Sequence, residues 1–126
     1  MILTLLLLAH ITVVAFLETA SPPTLIVAKC MQAATEREPL IREAIKNQFW
    51  VRRVEFVGNE STRDYILRRR VLLQEGDVLS RRNLFQSVAN LGKSRRLYPV
   101  KMNDVIVHLD RQNKLIDVAF CLRERH

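Results

Sequence analysis

Metal ligation, general acid–base work and nucleophilic attack would fall first to His10, His108 and His126 and to Cys30 and Cys121, the only histidines and cysteines in the chain. His10 sits in an apolar leader, His108 in a strand-like run and His126 at the last position. No Ser, Cys or carboxylate stands with one of them at a spacing that suggests cooperation. His108 has no second His or Cys nearby, and Asp104 and Asp110, which bracket its run, read as turn and strand-end carboxylates. The sequence therefore offers no catalytic residue, no metal site and no call for a cofactor. The two cysteines give no framework spacing. Export would permit a bond between them, but the simpler reading leaves Cys121 as a small apolar strand residue and Cys30 as a free or cleaved thiol. Lys29 stands where lipidation at Cys30 would need a small residue.

The remaining chemistry is charge. Twenty Lys and Arg against thirteen Asp and Glu give a formal net charge of +7, and before Glu36 only Glu18 and Lys29 are charged, so the excess belongs to the later part of the chain. Arg68 to Arg70, Arg81 with Arg82, and Arg95 with Arg96 form its runs. A nucleic-acid surface would interleave such runs with aromatics for base stacking, which Trp50, Tyr65 and Tyr98 do not do. An exported protein also has no nucleic acid to meet. An anionic membrane surface, acidic partners or plain solvated helix faces remain open as readings.

The elements that carry these residues begin with Ile2 to Leu17, ILTLLLLAHITVVAFL, an apolar run ended by Glu18 and Pro22-Pro23. It suits the heart of a secretory signal better than a span of about 20 residues, with an uncleaved anchor as the alternative. The best small-residue cleavage pair, Thr19 with Ser21, would leave Pro22 at the new N-terminus, so the cut site stays open. Leader and linker together occupy residues 1–34. The rest, in a chain of 126 residues that is 48% hydrophobic and 26% charged with three Gly and four Pro, is one domain's worth of folded protein. A disordered, collagen-like or low-complexity chain is excluded.

Thr35 with Glu38 forms a capping-box pattern ahead of Leu40, Ile41, Ala44 and Ile45, which predicts a lead-in helix within 35–49. Trp50 to Val57 alternates as a strand with Trp50, Arg52, Val54 and Phe56 on one face and Trp50 as a lid on the core. Gly58-Asn59 breaks it, and Ser61 or Thr62, with Asp64, caps a helix running to about Leu72. The turn Gln74 to Asp77, with Gly76 at positive φ, leads to a second cap at Ser80 and a helix carrying Leu84, Val88 and Leu91. Val105 to Leu109 and Leu115 to Leu122 make a hairpin around Asp110 to Lys114. The second of these, apolar except for Asp117, reads as the central strand. The pattern is β-α-α-β-β, an α+β arrangement without internal repeats.

Four segments, VRRVEFVGNEST (Val51 to Thr62), LLQEGDVLSRRNL (Leu72 to Leu84), RRLYPV (Arg95 to Val100) and LIDVAFCLRE (Leu115 to Glu124), make the stretch from Trp50 to Arg125 resemble the polypeptide-transport-associated, or POTRA, domain. That domain occurs in BamA-type outer-membrane assembly proteins, two-partner secretion transporters and, in variant form, a bacterial division protein. The resemblance implies a mixed three-stranded sheet in the order 1-3-2, covered on one face by two antiparallel helices, over residues 50–126. It further implies a non-catalytic interaction module of the periplasm or outer membrane, engaged in outer-membrane protein assembly or translocation. The expected partners are unfolded or extended outer-membrane protein segments, a separate barrel, or a neighbouring POTRA domain. The relatives place such domains in tandem before a barrel; one copy and no barrel strands are present in this sequence, so only the recognition module carries over.

Such a sheet leaves the strand of Val105, Ile106, Val107, His108 and Leu109 at an edge, apolar and free of internal Lys or Pro. Its backbone is the expected site for strand addition by an extended client of a membrane-associated module, the alternative being a short strand sheltered by the lead-in helix or by a loop. Gly58, Asn59, Gly76 and Asp77 are the expected structural turns. Two other readings stay open: a bitopic inner-membrane protein of a division or secretion complex, if the leader is retained, and a small basic nucleic-acid binder, if the chain stays in the cytoplasm.

Overall fold

The computed structural model describes Cys30 and residues 32–126, and the leader Ile2 to Leu17 lies outside the described residues. In chain order the elements are α1 (Ala34–Lys46), β1 (Trp50–Val57), α2 (Asp64–Arg68), α3 (Arg81–Gly92), a short 3-10 turn (Met102–Asp104), β2 (Val105–Asp110) and β3 (Leu115–Cys121). The strands form one mixed sheet in the order β1-β3-β2, with β1 parallel and β2 antiparallel to β3. The fold is α+β, and the apolar run Leu115–Cys121 is its centre. Among the described residues no helix is long and apolar enough to cross a membrane.

Alternation on β3 sends Ile116, Val118 and Phe120 to the helical face, where they meet Val105, Val107 and Leu109 of β2, Leu67 of α2 and Leu84, Val88 and Leu91 of α3 in one buried cluster. Ile41 and Ala44 of α1 join the same cluster, so the lead-in helix docks on the domain beside β2. The opposite face holds a smaller cluster of Ile106 and Ala119 with Cys30 and Cys121 at its margin. Arg111 of the β2–β3 turn grips Glu43 of α1 through two bonds of 2.6 and 3.0 Å.

Four local expectations fail for physical reasons. The register between β1 and β3 shifts between Val51 and Arg53, a bulge that puts both Val51 and Val54 on the core side and leaves Trp50 49% exposed, so Trp50 is no lid. The bulged Arg52 spans Asp117 at 2.9 and 2.8 Å and Asp110 at 3.0 Å. Asp117 is fully buried, and its hydrogen bonds are the main cause holding the Arg52 guanidinium above its usual range. Helix α2 ends at Arg68, not near Leu72. Asn90 of α3 donates to Arg70 O, and Ser87 Oγ accepts from the amides of Leu72 and Leu73, drawing the chain off the helix into an extended run that buries Val71 and Leu73 and exposes Leu72. Thr62 does not cap α2, because its hydroxyl donates to Glu124 at 2.7 Å. Thr35 does not cap α1, whose N-cap is Ala33, so no capping box forms there. The cap at Ser80 does form, accepting from Asn83 N at 3.3 Å.

Gly58 and Gly76 both have positive φ, 93° and 97°, for different reasons. A Cβ at Gly58 would collide with the carbonyl oxygen of Leu122, where the end of β1 lies against the chain leaving β3, whereas a Cβ at Gly76 would meet nothing. Asn59 closes the first turn by donating to Thr62 O and to Asp64 at 2.8 and 2.9 Å. Asp77 O accepts from Val51 N. Gly58→Ala should therefore cost about 2 kcal/mol or more, from strain plus a backbone clash, and Gly76→Ala about 1 kcal/mol from strain alone. Urea unfolding of the two variants checks the order, and equal losses would contradict it.

Candidate interaction edges of the sheet

A three-stranded sheet has two edges, and unpaired edge groups invite another strand. On β2 the backbone groups of Ile106 and His108 turn toward β3, so those of Val105, Val107 and Leu109 turn outward. The N–H of Val105 donates to Met102 O. At Val107 the side chain of Gln32 lies against the edge: its Oε1 accepts from Val107 N at 2.9 Å and its Nε2 donates to Val107 O at 3.2 Å. A carboxamide is chemically a peptide group, and here it makes the two bonds a paired strand would make. The side chains of Val105, Ile106, Val107 and Leu109 are buried within the fold, and His108 alone of the five is exposed. Recognition along this edge would rest on backbone, with His108 the one side chain on offer.

The segment carrying Gln32 is fastened on both sides. Arg37 of α1, 2% exposed, donates to Gln32 O at 3.0 Å and to Asn103 at 3.4 Å. Cys30 is disulfide-bonded to Cys121 across a sequence separation of 91 residues. The expected free thiol at 30 and unbonded apolar residue at 121 are thus corrected: the end of β3 and the segment before α1 lie close enough to cross-link. The pairing left a signal in the sequence, two cysteines behind an apolar leader of the kind an exported protein carries. Gln32 left none, because it lies in a stretch without periodicity.

The β1 edge is closed differently. Val51 exchanges bonds of 2.7 Å with Asp77 O and Gly76 N, and Leu79 N donates to Phe49 O at 2.9 Å. Further along, Val54 N donates to Glu75 at 3.4 Å and Val54 O accepts from Arg68 at 2.8 Å, while Arg68 and Glu75 pair with each other at 3.2 Å. The pair lies at a cleft lined also by Val71, Leu73 and Gln74. Arg68 further stacks over Phe56, itself packed on Phe120 with centroids 5.8 Å apart.

Beyond β3 the chain pairs once more: Leu97 and Glu124 form an isolated antiparallel bridge, with Tyr98 N donating to Arg123 O at 2.8 Å and Arg125 N to Arg96 O at 2.9 Å. Glu124 accepts from Ser61 N and the Thr62 hydroxyl, which hold its carboxyl below the usual range.

The family model for POTRA, described as a surface antigen variable number repeat, matches residues 50–125, and the chain belongs to that family. Among solved structures, it is similar to BamA from Haemophilus ducreyi lacking POTRA domains 1–3, with a TM-score of 0.54 and 26% identity over 61% of this chain and 14% of that one. POTRA1-3 of the periplasmic domain of Omp85 from Anabaena is matched at a TM-score of 0.48 and 22% identity, over 62% of this chain and 35% of that one. No curated protein matches.

Replacing Cys30 and Cys121 by Ser should lower stability by about 2–5 kcal/mol, because the bond closes a long loop in the unfolded chain. Denaturant unfolding with and without reductant reads this, and reductant should not affect the double variant.

Acid should weaken the clasp at Glu124. A carboxyl held low is ionised and bonded in the native state, so its contribution is present above its unfolded value of 4.5 and is lost as pH falls through the lower folded value. Thermal unfolding of Glu124→Gln should accordingly show a shallower loss between neutral pH and about pH 3 than the parent.

Proposed function

We propose that this POTRA domain is a non-catalytic interaction module of outer-membrane protein assembly or translocation, exported by its N-terminal segment to the periplasm or outer membrane. It accepts an extended polypeptide on the β2 edge, at Val105 to Leu109, by strand addition. The observation that carries the reading is the Gln32 carboxamide on Val107: the edge holds a peptide-like group in a strand partner's position, with both of its bonds made to backbone. A client strand would take over those two bonds and extend toward Leu109. Backbone pairing gives tolerance to sequence, as a module serving many clients requires.

The test is binding of a fluorescent extended peptide of alternating apolar residues to the full chain. Gln32→Ala removes the internal competitor and should strengthen binding by about tenfold, the worth of two modest hydrogen bonds. Val107→Pro removes the outward N–H and should abolish binding, whereas His108→Ala leaves the backbone intact and should change it little. Circular dichroism establishes that each variant is folded. Identical affinity for parent, Gln32→Ala and folded Val107→Pro would dismiss the β2 edge as the site. N-terminal sequencing of the exported chain, shortened or intact, separates a periplasmic module from one held by an inner-membrane anchor.

A further inference from the structure

The bridge between Leu97 and Glu124 sorts its side chains into two faces. Opposed residues in an antiparallel ribbon share a face and neighbours alternate. Leu97 is buried in the core and Glu124 reaches inward to Ser61 and Thr62, so Arg96, Tyr98, Arg123 and Arg125 all lie on the other side, where all four are exposed. The Arg123 and Arg125 guanidiniums stack on the one Tyr98 ring, at 5.6 and 5.0 Å from its centroid. Arg125 is further fixed by its Nε donating to Leu97 O at 2.9 Å.

Among the described residues this cluster has no ion-pair partner. The ion pairs among the described residues engage Arg52, Arg53, Arg68, Arg81 and Arg111, and none includes Arg96, Arg123 or Arg125. Glu124, the side-chain carboxylate nearest in sequence, is turned away and already bonded. Two cations stacked on one phenol, with Arg96 exposed on the same face of the ribbon, make an array whose missing component is negative charge.

We propose that this ribbon face binds an acidic extended peptide segment of a partner protein, with carboxylates at alternate positions. Residues two apart on the ribbon, such as Arg123 and Arg125, are separated by about 7 Å, the spacing of same-face side chains in any extended chain. Successive carboxylates of the partner then meet successive guanidiniums, while the side chains between them point away from the ribbon. An anionic bilayer fits the array less well. Tyr98 is its one large exposed apolar side chain, and surface-lying membrane segments insert several. The site is separate from the β2 edge and does not depend on strand addition there.

The experiment measures anisotropy of two labelled nonapeptides of equal composition, one with Glu at alternate positions among Ser and one with its Glu contiguous, against the full chain. Vesicles of phosphatidylglycerol in phosphatidylcholine form the third arm. The alternating peptide should bind best, and Arg96→Gln with Arg123→Gln should weaken it by about tenfold or more, since each substitution removes a charge-assisted contact. Arg42→Gln with Arg82→Gln removes the same charge from exposed positions elsewhere and should cost less than about twofold, the effect of net charge alone. If the first pair disturbs the thermal midpoint, Arg123→Lys replaces it. That variant keeps the charge but loses the planar fork, and it should still weaken binding severalfold. Equal losses from the two pairs, equal affinity for the two peptides, or binding to the vesicles only would overturn the proposal.

Discussion

Everything in this domain is arranged around β3, whose backbone is hydrogen-bonded on both sides and whose central side chains are buried on both faces. A strand so placed cannot slip by one residue, because Asp117 would then enter the apolar cluster and Val118 would leave it. Asp117 is tolerated within the sheet because Arg52 meets it with two hydrogen bonds, and the bulge that delivers Arg52 also sets the phase of β1. Removing Arg52 would leave the buried Asp117 charge without its complement, which is why this pair is better regarded as fixing register than as a source of net stability.

With β3 satisfied, the cost of a small sheet moves to its margins. Neither edge strand is left bare at its centre, yet neither is covered by a further strand along its length. Val107 is met by a glutamine carboxamide and Val54 by an arginine–glutamate pair. Side chains satisfy edge groups at less cost in reorganisation than a paired strand does, since each is displaced by rotating a few bonds. That difference separates a guarded edge from a finished one.

The architecture was legible in the sequence because it rests on local pattern. The alternating apolar runs, the glycine at the exit of β1 and the serine at the start of α3 each act within a few residues, and the POTRA resemblance joined them in the right strand order. What could not be read depends on distant partners. WVRRVEFV is consistent with a regular strand, and only Asp117 and Asp110, far along the chain, give Arg52 a reason to bulge. Thr62 looks like a helix cap until Glu124 claims it, and the helical pattern through Val71 persists in the sequence although Ser87 and Asn90 pull the backbone away. For the proposed binding edge, the strand was visible and a shelter by helix or loop was open, but the group that meets it was not, because Gln32 sits in a stretch with no pattern of its own.

Cys30 and Ala34 bracket Gln32 within a very short stretch, one end bonded to Cys121 and the other rooted in α1. A group held this way does not diffuse away when its bonds to Val107 break; it stays near the edge at an effective concentration on the order of millimolar. For any strand added at β2, the domain would thus contain its own tethered rival, and short segments would lose that contest. Under the proposed strand addition, a segment long enough to pair beyond Val107 would recruit backbone contacts the rival cannot make, so the tether would act as a filter on length and extension and not on sequence.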